Sequence, residues 1–149
     1  MKNKIFGFDK PEDSPGFLLW QTTITWQRQI KKVLDPYEIS HAQFVVMAVT
    51  LWFESNKQDV TQIMIIKLSK LDKMTVSKSL KKLVSAGYVK RMEDKTDTRA
   101  KAVYLTKKGK DLISKLIPLV EAVDRDFFGV VKREEQRALM GILNNMISG

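Results

Sequence analysis

A nearly all-apolar helical segment at residues 41–55 constrains the fold more than any other part of the sequence. Ser40, followed three residues later by Gln43, fits a capping box, in which the two side chains satisfy free backbone donors at a helix start. The helix that follows is apolar on nearly every side, with Phe44, Val45, Val46, Met47, Val49, Leu51, Trp52 and Phe53. Such a helix is buried on most of its faces. We therefore expect the other elements to surround it.

The rest of the pattern predicts a mainly α-helical fold with a small β-hairpin. Apolar spacing, capping residues and glycines predict helices over residues 16–34, from Thr61 to about Leu68, from a turn near Asp72 to Gly87, from Thr106 onwards with a kink at Pro118, and from about Glu134. Two short β-prone runs, residues 88–92 and 102–105, flank a charged, turn-rich segment at residues 94–99. This order predicts an antiparallel hairpin with a long tip.

Length and composition exclude several classes of protein. A chain of 149 residues with 44% hydrophobic residues suits one globular domain, 1–149, and no large multidomain enzyme. There is no cysteine and one histidine, which excludes disulfide scaffolds, thiolate chemistry and histidine-rich metal sites. We expect no cofactor. No apolar run is long enough for a membrane span or a secretory signal, so a soluble, cytoplasmic protein is expected.

The positive charge is concentrated in the middle of the chain. The formal net charge is +9, and residues 67–110 hold 14 Lys or Arg against 4 Asp or Glu, a local net charge of +10. The remainder of the chain therefore sums to −1. Charge placed in this way predicts a surface that meets phosphates, with double-stranded DNA as the expected partner. The alternative is a basic face that is merely solvated.

Helix, short turn, helix and hairpin within the basic segment is the order of a winged helix-turn-helix. In the fourth helix Val76, Leu80, Leu83 and Val84 form the expected buried stripe. The opposite side is the expected recognition surface, because the first residues of a recognition helix reach base edges in the major groove. Its candidate residues are Lys73, Met74, Thr75, Ser77 and Lys78, with Lys81 and Lys82 placed further along for phosphate contacts.

The hairpin tip supplies a second candidate contact. It carries Lys95, Asp97, Arg99 and Lys101, and an extended basic loop can reach a minor groove beside the recognition helix. Arg99 suits a narrow minor groove. Asp97 is repelled by phosphate, so it is expected either to orient the Arg99 guanidinium or simply to form a turn.

Five stretches together resemble the motifs of MarR-type (multiple antibiotic resistance regulator) winged helix-turn-helix transcriptional regulators. They are Thr61-Gln62, residues 73–78, residues 83–91, Asp97-Thr98-Arg99 and residues 105–109, within a resemblance that covers about residues 17–147. The resemblance implies that residues 57–106 form the DNA-binding lobe. Residues 16–56 and 107–149 would form the dimerisation and core helices. It also implies Arg99 in the minor groove with Asp97 as its orienting partner.

The resemblance further implies a homodimer and a small effector. Apolar stripes on the terminal helices need a partner, and a symmetric dimer would place two recognition helices one DNA turn, about 34 Å, apart on a pseudo-palindromic operator. Regulators of this type generally lose DNA affinity when a small, often aromatic or phenolic, anion binds between the dimer domain and the winged lobe. The residues expected to line that crevice are Trp20, Trp26, Tyr37, His41 and Trp52, although aromatic residues at helical spacing are more often core.

The sequence departs from the family pattern at four positions. Ile66 and Lys70 stand where a small residue and a glycine are usual, and Ile63 and Met64 replace polar residues on an outer face. These departures leave a second hypothesis open: a winged-helix protein-interaction module without specific DNA recognition. We expect no enzyme, since no nucleophile and base pair, phosphate loop or metal cluster is visible. The preferred expectation is a homodimeric repressor released by a small molecule.

Overall fold

Six α-helices and three short strands make up residues 5–93 and 101–149, which a computed structural model describes. The helices are α1 (Pro15–Leu34), α2 (His41–Ser55), α3 (Gln62–Ser69), α4 (Lys73–Ser85), α5 (Lys107–Phe128) and α6 (Arg133–Ser148). The strands are β1 (Val60–Thr61), β2 (Val89–Glu93) and β3 (Lys101–Leu105). Short 3₁₀ turns at Pro11–Asp13 and Asp35–Tyr37 flank α1. The predicted mainly helical fold with a small β-wing is confirmed.

Side-chain caps fix where the helices begin. Ser40 and Gln43 form the predicted capping box at the start of α2. The Thr61 hydroxyl accepts from the backbone amide of Met64, and the Thr106 hydroxyl accepts from that of Gly109, as predicted for α3 and α5. Helix α5 continues through Pro118 without a break.

The three strands form an antiparallel sheet in the order β1-β3-β2. Strands β2 and β3 are the predicted hairpin, with Arg91 opposite Val103. Strand β1 was not predicted, because its residues read as a loop followed by a helix cap. Val60 pairs with Val103 across more than forty residues of chain, and a two-residue strand is too short to show an alternating pattern.

Helix α2 lies at the centre of the hydrophobic core. It packs against α1, α3, α4, α5 and the sheet, and Val46, Met47 and Thr50 are fully buried. The Thr50 hydroxyl donates to the Val46 carbonyl, so this buried polar group has a partner. The expectation that α2 is buried on most faces is confirmed, except at Trp52, whose side chain is 59% exposed.

The buried face of α4 differs at one position from the predicted stripe. Val76, Leu80 and Leu83 are buried, but Val84 is 40% exposed and Ser79 is buried instead. At 100° per residue Val84 lies about a quarter turn from the middle of the buried face, whereas Ser79 lies closer to it. The predicted buried stripe is therefore confirmed at Val76, Leu80 and Leu83 and wrong at Val84.

The turn between α3 and α4 contains a lysine in a left-handed conformation. Lys70 has φ +62° and ends α3, with its backbone amide donating to the Ile66 carbonyl. A side chain in this region costs free energy that glycine does not incur. Ile66, another of the four departures, packs against the core as a half-buried side chain.

Replacing Lys70 by glycine is expected to stabilise the fold. Lys70→Gly removes the left-handed penalty and should raise the free energy of unfolding by roughly 0.5–1 kcal/mol in urea denaturation. The control is Lys67→Gly, three residues earlier inside α3, where glycine should lower stability by about 1 kcal/mol. Equal destabilisation by both substitutions would contradict the assigned strain at Lys70.

Candidate nucleic-acid interface

Helix α4 presents one polar, cationic face to solvent. Met74, Lys78, Lys81 and Ser85 share a single line along this face and are exposed, with Met74 at 68%. Thr75 and Ser77 flank the line and are half-buried. The exposed residues Lys73 and Lys82 add two more charges at the start and towards the end of the helix. The predicted recognition residues of α4 therefore form one contiguous surface on the side of the helix opposite its buried stripe.

The N-terminal end of α4 is held by the carboxylate of Asp72, for which the sequence predicts only a place in the turn before the helix. Asp72 accepts from the Thr75 backbone amide at 2.7 Å and from the Thr75 hydroxyl at 2.8 Å. The first of these bonds is the largest cause that lowers the pKa of Asp72 below its ordinary 3.8, and the hydroxyl adds to it. The Thr75 hydroxyl proton is thereby committed, and only its lone pairs are free for a base.

The C-terminal end of α4 is closed by the predicted glycine. Gly87 has φ +81°, and its amide donates to the Val84 carbonyl while the Tyr88 amide donates to the Leu83 carbonyl. These two bonds form a Schellman motif, in which only glycine takes the left-handed position without strain. Both ends of α4 are thus fixed, and its exposed face is held in a defined orientation.

The wing is described at its base only. Of its four predicted residues, Lys101 begins β3 and is half-buried, while Lys95, Asp97 and Arg99 lie outside the described residues. At the base, Nη1 of Arg91 and Oε1 of Gln62 are buried and have no hydrogen-bond partner in the described structure. Arg91 shares a row of the sheet with the buried Val103, which puts a guanidinium on the core side. The alternation of polar and apolar residues in the sequence does not predict a guanidinium on the core side of the sheet.

Two of the five predicted crevice residues are in contact. The rings of Trp26 on α1 and His41 at the start of α2 lie edge to face, with centroids 5.1 Å apart. The indole NH of Trp26 donates to Asp124 on α5 at 2.7 Å. Three helices of the core therefore meet at one polar, aromatic cluster. Burial lowers the pKa of His41 below its ordinary 6.5, and the Asp124 carboxylate opposes that shift.

The structure separates the other three crevice residues from this pair. Trp20 is 64% exposed on α1, and Trp52 is largely exposed near the end of α2. Tyr37 lines a cavity of about 200 Å³ beside the C-terminal end of α4. His41 instead lines a groove of about 430 Å³ between the end of α1 and the start of α2. Tyr37 and His41 therefore open onto different cavities.

A large apolar groove lies between the ends of the chain. It has a volume of about 630 Å³ and is lined by residues of α1, the end of α5 and one stripe of α6: Leu18, Leu19, Trp26, Phe127, Phe128, Leu139, Ile142, Leu143 and Met146, among others. Helix α6 has no buried residue, and four of its large apolar side chains are exposed: Met140, Ile142, Met146 and Ile147. The amphipathic helix α6 therefore leaves its apolar face uncovered in the monomer.

Two kinds of site are not found in the part of the chain that the structure describes. Residues 5–93 and 101–149 contain no group of three side chains that could hold a metal ion. Within the same residues, no helix has the length and apolar character needed to cross a bilayer.

Comparison with known proteins identifies the fold that carries this surface. Residues 35–123 match the ArnR1-like, winged-helix domain family. An uncharacterized HTH-type transcriptional regulator of Bacillus subtilis strain 168, YdcH, is 33% identical over 128 residues, which are 86% of this chain and 87% of YdcH. The chain belongs to the MarR family of winged-helix transcriptional regulators.

Two solved structures of transcriptional regulators have folds similar to that of this MarR-family chain. A cysteine-to-serine variant of Escherichia coli MarR, complexed with operator DNA, has a TM-score of 0.75 at 23% identity; the match covers 88% of this chain and 91% of the MarR chain. BpsR of Bordetella bronchiseptica, whose DNA binding is regulated by 6-hydroxynicotinic acid, has a TM-score of 0.85 at 21% identity. That match covers 96% of this chain and 99% of BpsR. These two likenesses show the fold. With the likeness to YdcH, the MarR-family chain is a DNA-binding transcriptional regulator, and its relatives are transcriptional regulators, not enzymes.

The His41 cluster is expected to make this MarR-family regulator less stable in mild acid. A folded-state pKa below the unfolded value means that the unfolded chain binds the proton more readily, so stability falls as pH drops through about 6.5. Replacing His41 by phenylalanine keeps a ring beside Trp26 and removes the titrating group. Urea denaturation at pH 7.5 and 5.5 should therefore show a smaller pH dependence for His41→Phe than for the wild type. Equal pH dependence in both proteins would show that His41 is not the titrating group.

Proposed function

We propose that this protein is a homodimeric, sequence-specific repressor that binds a pseudo-palindromic operator and is released from it by a small aromatic or phenolic effector. The observation that carries the proposal is the exposed face of α4, whose two ends are fixed and whose lysines all point away from the core. The proposal includes a cytoplasmic location, where an operator is accessible.

The chemistry of α4 suits base and phosphate contacts in one groove. The exposed thioether and methyl of Met74 match a thymine methyl group, and the Ser77 hydroxyl and Lys78 ammonium match polar base edges. Lys81 and Lys82 lie one turn further along, where a recognition helix meets the phosphate backbone. Arg99 and Asp97 remain sequence-based candidates for the minor-groove contact and its orientation.

The uncovered apolar surface supports a homodimer. A second copy that inserts its own α1 and α6 would bury the 630 Å³ groove together with the exposed stripe of α6. Contiguous apolar surface of this kind is rare on monomers and marks an interface. A two-fold axis through these terminal helices would also separate the two α4 helices, so that each could bind one half-site of an operator.

Effector release is proposed from the position of the Trp26 and His41 cluster. The cluster joins α1, α2 and α5, and α5 leads directly from the wing into the terminal helices. A small aromatic anion stacked there would shift DNA affinity only if it favoured one spacing of the lobes over another. BpsR, whose DNA binding is regulated by 6-hydroxynicotinic acid, supports this class of ligand.

One observation favours a second function, a winged-helix protein-interaction module. Ile63 on α3 is 50% exposed, and Leu68 on the same helix is equally exposed. Both are apolar side chains on the surface of the DNA-binding lobe. A protein partner held through them would bind with little dependence on salt, in contrast to DNA.

Selection of binding sites from random duplex DNA, at low and near-physiological salt, tests the proposal. The expected result is an inverted repeat with half-sites one turn apart and affinity that falls steeply as salt rises. Tight low-salt binding without any enriched sequence would mean generic phosphate attraction and would favour the interaction module.

Removing the wing arginine should weaken binding to the selected operator. Arg99→Ala is expected to cost about 1–3 kcal/mol of binding free energy, the scale of a good groove contact, while leaving the dimer intact. Fluorescence anisotropy with labelled operator, and sedimentation of the same sample, measure both quantities. An unchanged affinity in a dimeric variant would remove Arg99 from the interface.

A charge on the apolar stripe of α6 should separate the dimer. Ile142→Glu would bury a carboxylate in the interface, so we expect a monomer by sedimentation and loss of cooperative operator binding. Asn144→Glu adds the same charge on the opposite side of α6 and should leave the dimer intact. A dimeric Ile142→Glu protein would place the interface elsewhere.

A further inference from the structure

Three consecutive carbonyls directly after α4 are all bound by the first residues of α5 and its cap. The Ala86 carbonyl accepts from Nζ of Lys108 at 2.9 Å, and the Gly87 carbonyl accepts from the Thr106 hydroxyl at 2.6 Å. The Tyr88 carbonyl accepts from the Thr106 backbone amide at 3.0 Å. We call these contacts, between residues 86–88 and residues 106–109, the α4–α5 junction.

Thr106 makes hydrogen bonds to both sides of the junction. The Thr106 hydroxyl donates to Gly87 and at the same time accepts from the Gly109 amide as the cap of α5. One side chain therefore closes the end of α4 and the beginning of α5. The last carbonyls of a helix lack partners within it and carry partial negative charge. Here the neighbouring helix supplies partners for the carbonyls that follow α4.

Close packing makes the junction rigid. Gly109 is buried, and a Cβ at this position would overlap the Tyr88 carbonyl oxygen and crowd its carbon. Glycine is required for this approach of α5 to the backbone of Tyr88, since any side chain would push the two segments apart. The end of α4 is consequently coupled to α5 through both backbone contact and hydrogen bonds.

Lys108 brings a positive charge to the carbonyls of the junction. Its ammonium lies 4.9 Å from the centroid of the Tyr88 ring in addition to its bond with Ala86. Lys107, the residue before it, is also exposed, and within the described residues its ammonium shares neither contact. Two adjacent exposed lysines in the basic segment thus have different surroundings, because only Lys108 binds the carbonyl of the C-cap residue of α4.

We propose that Lys108 is a positioning residue of the DNA reader, which ties the orientation of α4 to α5 instead of contacting phosphate itself. Helix α5 packs on α1 and α2 at its other contacts, so it links the reading face to the helices proposed to form the dimer. The orientation of α4 then sets the distance between the two half-sites that a dimer can hold. The inference rests on the proposed function and adds to it a determinant of half-site spacing.

Amide hydrogen exchange on the full chain tests the structural part without DNA. Lys108→Met should raise the exchange rate of the Gly87 and Tyr88 amides by about 10-fold, because the Ala86 carbonyl loses its partner and the Tyr88 ring loses its cation. The exchange rates of the α1 amides should not change. Lys107→Met removes the same charge and should leave exchange as in the wild type. Lys108→Arg keeps a cation over Tyr88 and should restore most of the protection. Equal exchange in the two methionine variants would overturn the proposal.

Site selection with the same variants tests the effect on DNA. We expect Lys108→Met to enrich the wild-type half-site but with a broadened distribution of spacings, and to bind the wild-type operator about 10-fold more weakly. Its dependence of affinity on salt should match the wild type, because no phosphate contact is lost. Lys107→Met should keep the wild-type spacing.

The possible outcomes separate this inference from the proposed function. A salt slope reduced by about one in Lys108→Met, with unchanged spacing, would make Lys108 a phosphate contact and overturn its positioning role. A wild-type protein that enriches no half-site would overturn the role in spacing together with the proposed function. In that case exchange at Gly87 and Tyr88 would still decide whether Lys108 holds the end of α4.

Discussion

Burial of α2 is the constraint on which the rest of the structure depends. A helix with Val46, Met47 and Thr50 completely removed from solvent needs neighbours on several sides, and α1, α3, α4, α5 and the sheet supply them. Burial of apolar surface on this scale is the largest favourable contribution to folding. Helix α4 is one of these neighbours, so its buried side faces α2 and its lysines are exposed. The cationic face proposed to read DNA is thus a consequence of how the core closes.

The ends of α4 decide how well that surface is held. Asp72 at one end and Gly87 at the other satisfy backbone groups that a helix cannot satisfy internally. The α4–α5 junction then attaches the second end to a long helix. Fixed ends hold the backbone of α4 in one orientation, which lowers the entropic cost of binding at its exposed face. Helix α6, in contrast, leaves its apolar stripe exposed in the monomer and points to contacts outside it.

Local signals made much of this fold predictable. The capping box of Ser40 and Gln43, the hydroxyl caps of Thr61 and Thr106, and the glycine at position 87 each act within four residues, so their patterns are legible in the sequence. The exposed polar face of α4 was predictable for the same reason, since the helical period places it half a turn from the buried side. The MarR-type resemblance of the motifs was confirmed at the level of the family.

Features that depend on contacts between residues far apart in the chain could not be predicted from the sequence. Strand β1 exists because Val60 meets Val103, and the bonds of Lys108 and Thr106 to residues 86–88 join segments about twenty residues apart. The separation of Tyr37 from His41 depends on the turn at Asp35–Tyr37 between α1 and α2. Periodicity describes one element at a time and contains no information on such meetings.

Hydroxyl-radical footprinting of the wild-type protein on a selected duplex tests the central claim most directly. A dimer that reads DNA with two α4 helices should protect two patches on one side of the duplex, centred one helical turn apart and related by two-fold symmetry. A single protected patch, or uniform protection along the duplex, would contradict a dimeric sequence reader built on α4.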